Sequence, residues 1–344
     1  MSRQRGTRAN EQPRLYCWML HDQRLLDLID EDRLPFVRAL TRFSLHRSWL
    51  DTRTRELDRW LRTHDVPSLE VLIAQDRPVT GRLIWLETPF TWSHVAAERR
   101  RLDTDPDVRS SFHAELPTGE GSITVQGTFS PRHLTCNSAN SELAGTRTQY
   151  MLATVAEHTA DRIDLRPLAI AERFITPSFA TGANSEWQTI SPRQIDQFAH
   201  VDFDAPVTRA DLEALRDVPE AEVKAMLAQL LGEPVVPKDW GGEQMDLWTT
   251  RLLVDGVQLS AAFLLKGPAK FAPMTVAMLG KNGDQLERLA RTAADILVLQ
   301  HCHEITPAVI STLRAHASDY RNPRRYLVID GHDTLRIWRT SGPV

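Results

Sequence analysis

A hairpin pattern beneath a helix constrains this chain more than any other stretch. Residues 246–254 and 257–265 are two apolar runs separated by Asp255-Gly256, a dipeptide suited to the tight turn between antiparallel strands. Residues 222–231, with Val223, Met226, Leu227 and Leu230 at helical spacing, read as a helix closed by Gly232. A glycine-bearing loop, residues 239–245, joins helix to hairpin. Asp246 opens the first strand and Lys266 ends the second, so both arrive at the open end of the hairpin.

Register decides whether those two side chains share a face. If the turn is only Asp255-Gly256, Val254 faces Val257, Asp246 pairs with Leu265, and Lys266 points to the opposite face. A bulged turn, or an equivalent irregularity, moves the count by one and puts Asp246 and Lys266 on one face. The Asp-Gly sequence permits either arrangement.

Beyond the hairpin the chain reads as alternating α and β. Residues 280–287 form a loop entering a helix, with Asn282 as its cap and Gln285 at the reciprocal position. Ile296 to Leu299 is a short, wholly apolar run typical of a central buried strand. A helix is expected over 306–317 and strands over 325–329 and 334–338. Residues 208–211 carry a helix-capping signal ahead of Leu212 and Leu215. The order from 208 is helix, hairpin, helix, strand, helix, strands, which predicts a mixed sheet flanked by helices.

This order, with Asp246 and Lys266 at the hairpin end, resembles the PD-(D/E)XK nuclease superfamily, closest to its Mrr-like restriction endonucleases, over residues 208–340. The resemblance implies a restriction-endonuclease-like domain and a Mg2+- or Mn2+-dependent hydrolase of DNA. Asp246 would be a metal ligand, and Lys266 would orient the attacking water or balance developing charge. The carbonyl of Leu265 would complete the metal shell. Leu264 stands where the family carries an acid or glutamine, and leucine cannot coordinate a metal. Glu243, in the preceding loop, is the expected replacement. Glu222 matches a helix position that sometimes supplies an acid, and Lys281 and Gln285 would hold a phosphate.

Composition limits the remaining options. At 344 residues the chain is expected to form two domains, 1–190 and 205–344. A net charge of −4 excludes a polybasic nucleic-acid binder, so any nucleic-acid contact must be local. All five lysines, Lys224, Lys238, Lys266, Lys270 and Lys281, fall in the window around the hairpin, among 41 basic residues. Cys17, Cys136 and Cys302 lie far apart, without the spacing of a disulfide framework or zinc knuckle. The cluster His301-Cys302-His303-Glu304 has metal-ligating residue types, but neighbours in sequence rarely converge on one ion. With no apolar run of membrane-spanning length and a polar start, the expected location is the cytoplasm, and a homo-oligomer is compatible.

The first half is expected to be a mixed α+β domain that senses, targets or oligomerises. Residues 1–13 read as a solvated tail. Helices are expected between residues 15 and 64, including 34–45 and 48–63, and over 68–75. Residues 82–87 read as a buried strand, and 91–101 end in a charged helix terminus. Strands are expected at 122–129 and 162–170, a short helix at 151–159, and a linker at 175–185. Two other readings stand beside the nuclease: a catalytically inactive DNA-binding or scaffold module of the same fold, and an interaction protein without a nucleic-acid role.

Overall fold

Two mixed sheets carry the chain in a computed structural model that describes residues 12–29, 46–77, 80–119, 121–176, 188–233, 245–280 and 283–342. Residues 1–11 of the expected tail, the helix at 34–45, most of the linker, Lys238, Glu243, Lys281 and Asn282 lie outside the described residues, and Gln12 and Pro13 of that tail are strand. The chain divides into two units at Ser185/Glu186, with Ile73–Asp76 and Pro117–Gly121 grouped with the second.

The first unit holds β1 Gln12–Leu20, α1 Asp22–Leu28, α2 His46–Thr63, α3 Leu69–Ala74, β2 Leu83–Ser93 and α4 Val95–Arg101. It continues with β3 Ser110–Pro117, β4 Ser122–Phe129, α5 Ala139–Glu142, β5 Gly145–His158 and β6 Arg162–Thr176. The strand order is β1-β6-β4-β3-β2-β5, and β6 also pairs with β5, closing five strands into a ring with β1 on its flank. Closure leaves those strands without a free edge.

Two expectations are corrected here. Residues 15–20 are strand, not helix: β1 pairs antiparallel with β6 from Gln12↔Thr176 to Leu20↔Ala169. Residues 151–158 are also strand, because Tyr150, Met151, Leu152 and Ala153 are buried between β2 and β6. Burial on both sides of a sheet overrides the helix propensity of Met, Leu and Ala.

The ring tolerates one glycine only as glycine. A Cβ on Gly127 would sit 2.3 Å from the Leu165 carbonyl oxygen and 2.7 Å from the Phe112 ring, where β4 runs parallel to β6. Gly127→Ala is therefore expected to cost about 3 kcal/mol by overpacking, read as a lower urea midpoint; an unchanged midpoint would show that β4 and β6 separate freely.

The second unit holds β7 Thr189–Ile190, α6 Glu220–Leu230, β8 Leu247–Val254 and β9 Val257–Lys266. Then come α7 Asp284–Ala290, β10 Ile296–His301, α8 Pro307–Ala317, β11 Arg325–Ile329 and α9 Gly331–Ser341. Its sheet order is β7-β11-β10-β9-β8, parallel except for β8. Alternation along β9 serves two cores. Ala261, Phe263 and Leu265 pack with Val223, Leu227 and Ile337 of α6 and α9. Ala262 and Leu264 pack with Leu286, Leu289 and Leu313 of α7 and α8. Helices thus cover both faces of the sheet.

The expected last strand, 334–338, is instead the helix α9. Asp330 accepts hydrogen bonds from the N–H groups of His332 and Asp333, a side-chain cap that opens a helix. Gly331, Thr334, Leu335 and Ile337 form its buried side, which a period-2 reading misassigns. Likewise the cap of α7 is Gly283, at φ 71°, rather than Asn282. Among the described residues no helix is long and apolar enough to cross a membrane.

Candidate functional site at the open end of the hairpin

The hairpin turn is the two-residue form. Val254 pairs with Val257, and Asp255 and Gly256 take φ of 48° and 77°, the left-handed pair an Asp-Gly turn requires. Asp196 and Gln194 hold it: Gly256 N–H donates to Asp196 Oδ2 at 3.0 Å, and Gln194 Nε2 donates to Asp255 Oδ2 at 3.0 Å. By itself this turn would send Asp246 and Lys266 to opposite faces.

An irregularity inside β8 changes that count by one. The register runs Val254↔Val257 to Leu252↔Leu259, shifts between Thr249 and Leu252, and resumes as Thr249↔Ala261 to Leu247↔Phe263. Side chains satisfy the backbone groups that the shift releases. Thr249 Oγ1 accepts from Arg251 N–H at 2.9 Å, and Gln258 Nε2 donates to the Thr250 carbonyl at 2.7 Å. Gln197 donates to the Arg251 carbonyl at 2.7 Å and accepts from Leu253 N–H at 3.1 Å. The ladder ends at Leu247↔Phe263, and Asp246, just outside it, closes onto the end of β9 beside Lys266.

Each site residue is then placed by the hairpin end. Asp246 N–H donates to the Phe263 carbonyl at 2.8 Å, and Asp246 Oδ2 accepts from Leu265 N–H at 2.6 Å. Lys266 is half-buried at the C-terminal end of β9, and no hydrogen bond or ion pair of its ammonium occurs among the described residues. Parallel strands β9, β10 and β11 all end on this side, where ligands enter open α/β sheets.

On helix α6, Glu220 rather than Glu222 meets the end of β9. Glu222 is exposed. Glu220 Oε2 accepts from Gly267 N–H at 2.7 Å, and a Cβ on Gly267 would lie 2.6 Å from Glu220 Cβ. Two residues turn a helix by about 200°, so Glu220 and Glu222 cannot serve the same side. Lys224, one turn after Glu220 on the same stripe, is 3% exposed. Glu220 and Lys224 were legible only as an i, i+4 pair.

Other expected positions do different work. Leu264 is 5% exposed in the core with Leu286 and Leu289, so its position is committed to packing. Gln285 lies in the first turn of α7 with a buried Oε1 that has no hydrogen-bond partner among the described residues. His301 is fully buried, its ring nitrogens each 3.0 Å from the carbonyl oxygens of Lys266 and Ala272, tying strand ends together. His303 Nδ1 accepts from Glu304 N–H at 2.8 Å. Burial pushes the Cys302 thiol up to about 11, which keeps it from acting as a thiolate.

The oxygen donors at the hairpin end match magnesium and manganese, which take one or two carboxylates and fill the rest with water. Asp246 and Glu220 are anchored on amides of Leu265 and Gly267, roughly 7 Å apart along an extended strand. Among the described residues no three His, Cys, Asp or Glu side chains form a metal-holding group. No family model, curated protein or solved structure matches the chain.

Proposed function

We propose that the second unit is a divalent-metal-dependent nuclease of restriction-endonuclease-like fold that hydrolyses phosphodiester bonds of DNA. The observation that carries the reading is the register shift in β8, which moves the count by one despite a two-residue turn and brings Asp246 onto Leu265 N–H, next to Lys266. A bound magnesium or manganese ion would polarise the phosphate and acidify a water. Asp246 would hold that ion, with Glu220 or Glu243 as second acid. Lys266 would supply a positive charge beside the scissile phosphate. Joined to a sensing or targeting unit, such a nuclease suits bacterial restriction or phage defence in the cytoplasm, by analogy of layout.

One observation favours a second reading. Leu264 is built into the core, so the family's usual second ligand is replaced by packing, and the same fold can bind DNA without cutting it.

The test is cleavage of plasmid DNA in magnesium, manganese or EDTA by the wild type and Lys266→Ala. Metal-dependent cutting, absent in EDTA and at least 100-fold slower in the variant, is the expected result. Salt-sensitive DNA binding without cutting supports the scaffold reading. Neither binding nor cutting overturns both.

A further inference from the structure

The first unit contains a cavity of about 480 Å3 at one end of its ring of strands. Met19, Phe129 and Pro167 line it with apolar surface, and Arg24, Arg109, Arg132 and Arg166 stand around it. None of these four arginines has a carboxylate partner among the described residues, whereas Arg59, Arg101, Arg147, Arg162 and Arg173 of the same unit all do. Backbone carbonyls hold three of the four in place. Arg24 donates to the Arg166 and Pro167 carbonyls at 3.2 and 3.3 Å, Arg132 to that of Pro106 at 2.6 Å, and Arg109 to that of Val108 at 3.3 Å. A guanidinium has five N–H donors, so each keeps donors to spare.

Three polar groups converge on the same space. His21 and His133 stack with ring centroids 4.1 Å apart. Burial and the surrounding guanidiniums press His133 down to about 4 and lower His21 as well, so both rings are neutral donors at neutral pH. Among the described residues, Asp27 is the acid that acts on the pair, through His21. Ser130 is 7% exposed, lines the cavity, and its Oγ is buried with no hydrogen-bond partner among the described residues.

Unpaired cations around a concave, partly apolar cavity focus a positive potential. Four guanidinium forks, two ring N–H groups and a hydroxyl exceed what one carboxylate uses. They match phosphate, with its multiple negative charges and acceptor oxygens. The cavity volume is that of a small-molecule site.

We propose that this cavity binds a small phosphate-bearing molecule, its phosphates held by Arg24, Arg109, Arg132 and Arg166 and by the hydroxyl of Ser130. The site lies wholly in the first unit and is independent of the hairpin.

The test is calorimetric titration of the full chain with inorganic pyrophosphate, ATP, adenosine and a single-stranded oligonucleotide. EDTA and constant ionic strength keep metal-dependent binding at the hairpin out of the measurement. The variants are Arg109→Gln and Arg132→Gln, both at exposed positions that leave the core intact, and Lys266→Ala. Pyrophosphate or ATP is expected to bind, adenosine not, with affinity at least tenfold weaker in each arginine variant and unchanged in Lys266→Ala. Absence of binding at 10-fold molar excess over millimolar protein, or binding insensitive to both arginine variants, overturns the proposal. Arginine-dependent binding of the oligonucleotide alone also overturns it, in favour of a nucleic-acid backbone contact. Absence of metal-dependent cleavage by the wild type, with its pyrophosphate binding intact, would sink the nuclease reading and leave this one standing.

Discussion

Asp246→Asn is expected to slow metal-dependent cleavage at least 100-fold, about 2.7 kcal/mol of transition-state stabilisation, with the melting temperature nearly unchanged. Asparagine retains an oxygen for the hydrogen bond that Asp246 Oδ2 takes from Leu265 N–H at 2.6 Å. The end of the hairpin therefore stays capped, and only the negative charge is lost. Asp246→Ala removes both. Leu265 is fully buried, so its unpaired N–H is expected to cost a further 1–3 kcal/mol or so of stability. Comparing the two variants separates metal binding from strand capping. Glu220→Gln applies the same logic at Gly267 N–H, where the acceptor survives and the charge does not. Cleavage by Asp246→Asn at the wild-type rate would remove Asp246 from the metal site.

The second large effect concerns stability of the first unit. Arg173 of β6 and Glu87 of β2 form an ion pair with side chains 1% and 10% exposed. Removing one partner strands a charge away from water, which typically costs 3–5 kcal/mol or so. Arg173→Leu is therefore expected to lower the melting temperature of this unit by roughly 6–20 °C. The double replacement Glu87→Leu with Arg173→Leu removes both desolvated charges and is expected to recover most of that loss. Equal destabilisation by the single and the double variant would show that shape, rather than charge, makes this contact matter.

Local chemistry explains which elements could be read in advance. Asp255-Gly256 dictates a left-handed pair of residues and hence the turn. The apolar run ending at Leu299 dictates a central strand, and β10 is buried throughout. Ser191 and Gln194 form a capping box that opens a short 3-10 turn. The misread elements failed because neighbours distant in sequence outweighed local preference. Residues 151–158 became a strand between β2 and β6. Residues 334–338 became helical once Asp330 capped the chain ahead of them.

The candidate site shows the same division. Residue type and order alone marked Asp246 and Lys266 as the acid and base meeting at the open end of a hairpin. How they meet depended on one unpaired step in β8, and that step is satisfied by Gln197 from a distant segment and Gln258 from the facing strand. No pattern within the hairpin encodes a partner some 50 residues away, so register there is a tertiary property. The exchange of Glu222 for Glu220 has a similar cause, because helix rotation is set by which stripe packs on the sheet. The cationic cavity was invisible for a related reason. Its arginines come from α1, the approach to β3, the turn after β4 and the strand β6, and only ring closure brings them together. Sequence by itself determined local conformation and the residue types available for chemistry; tertiary packing decided register, helix rotation and convergence, because those depend on contacts between segments far apart in the chain.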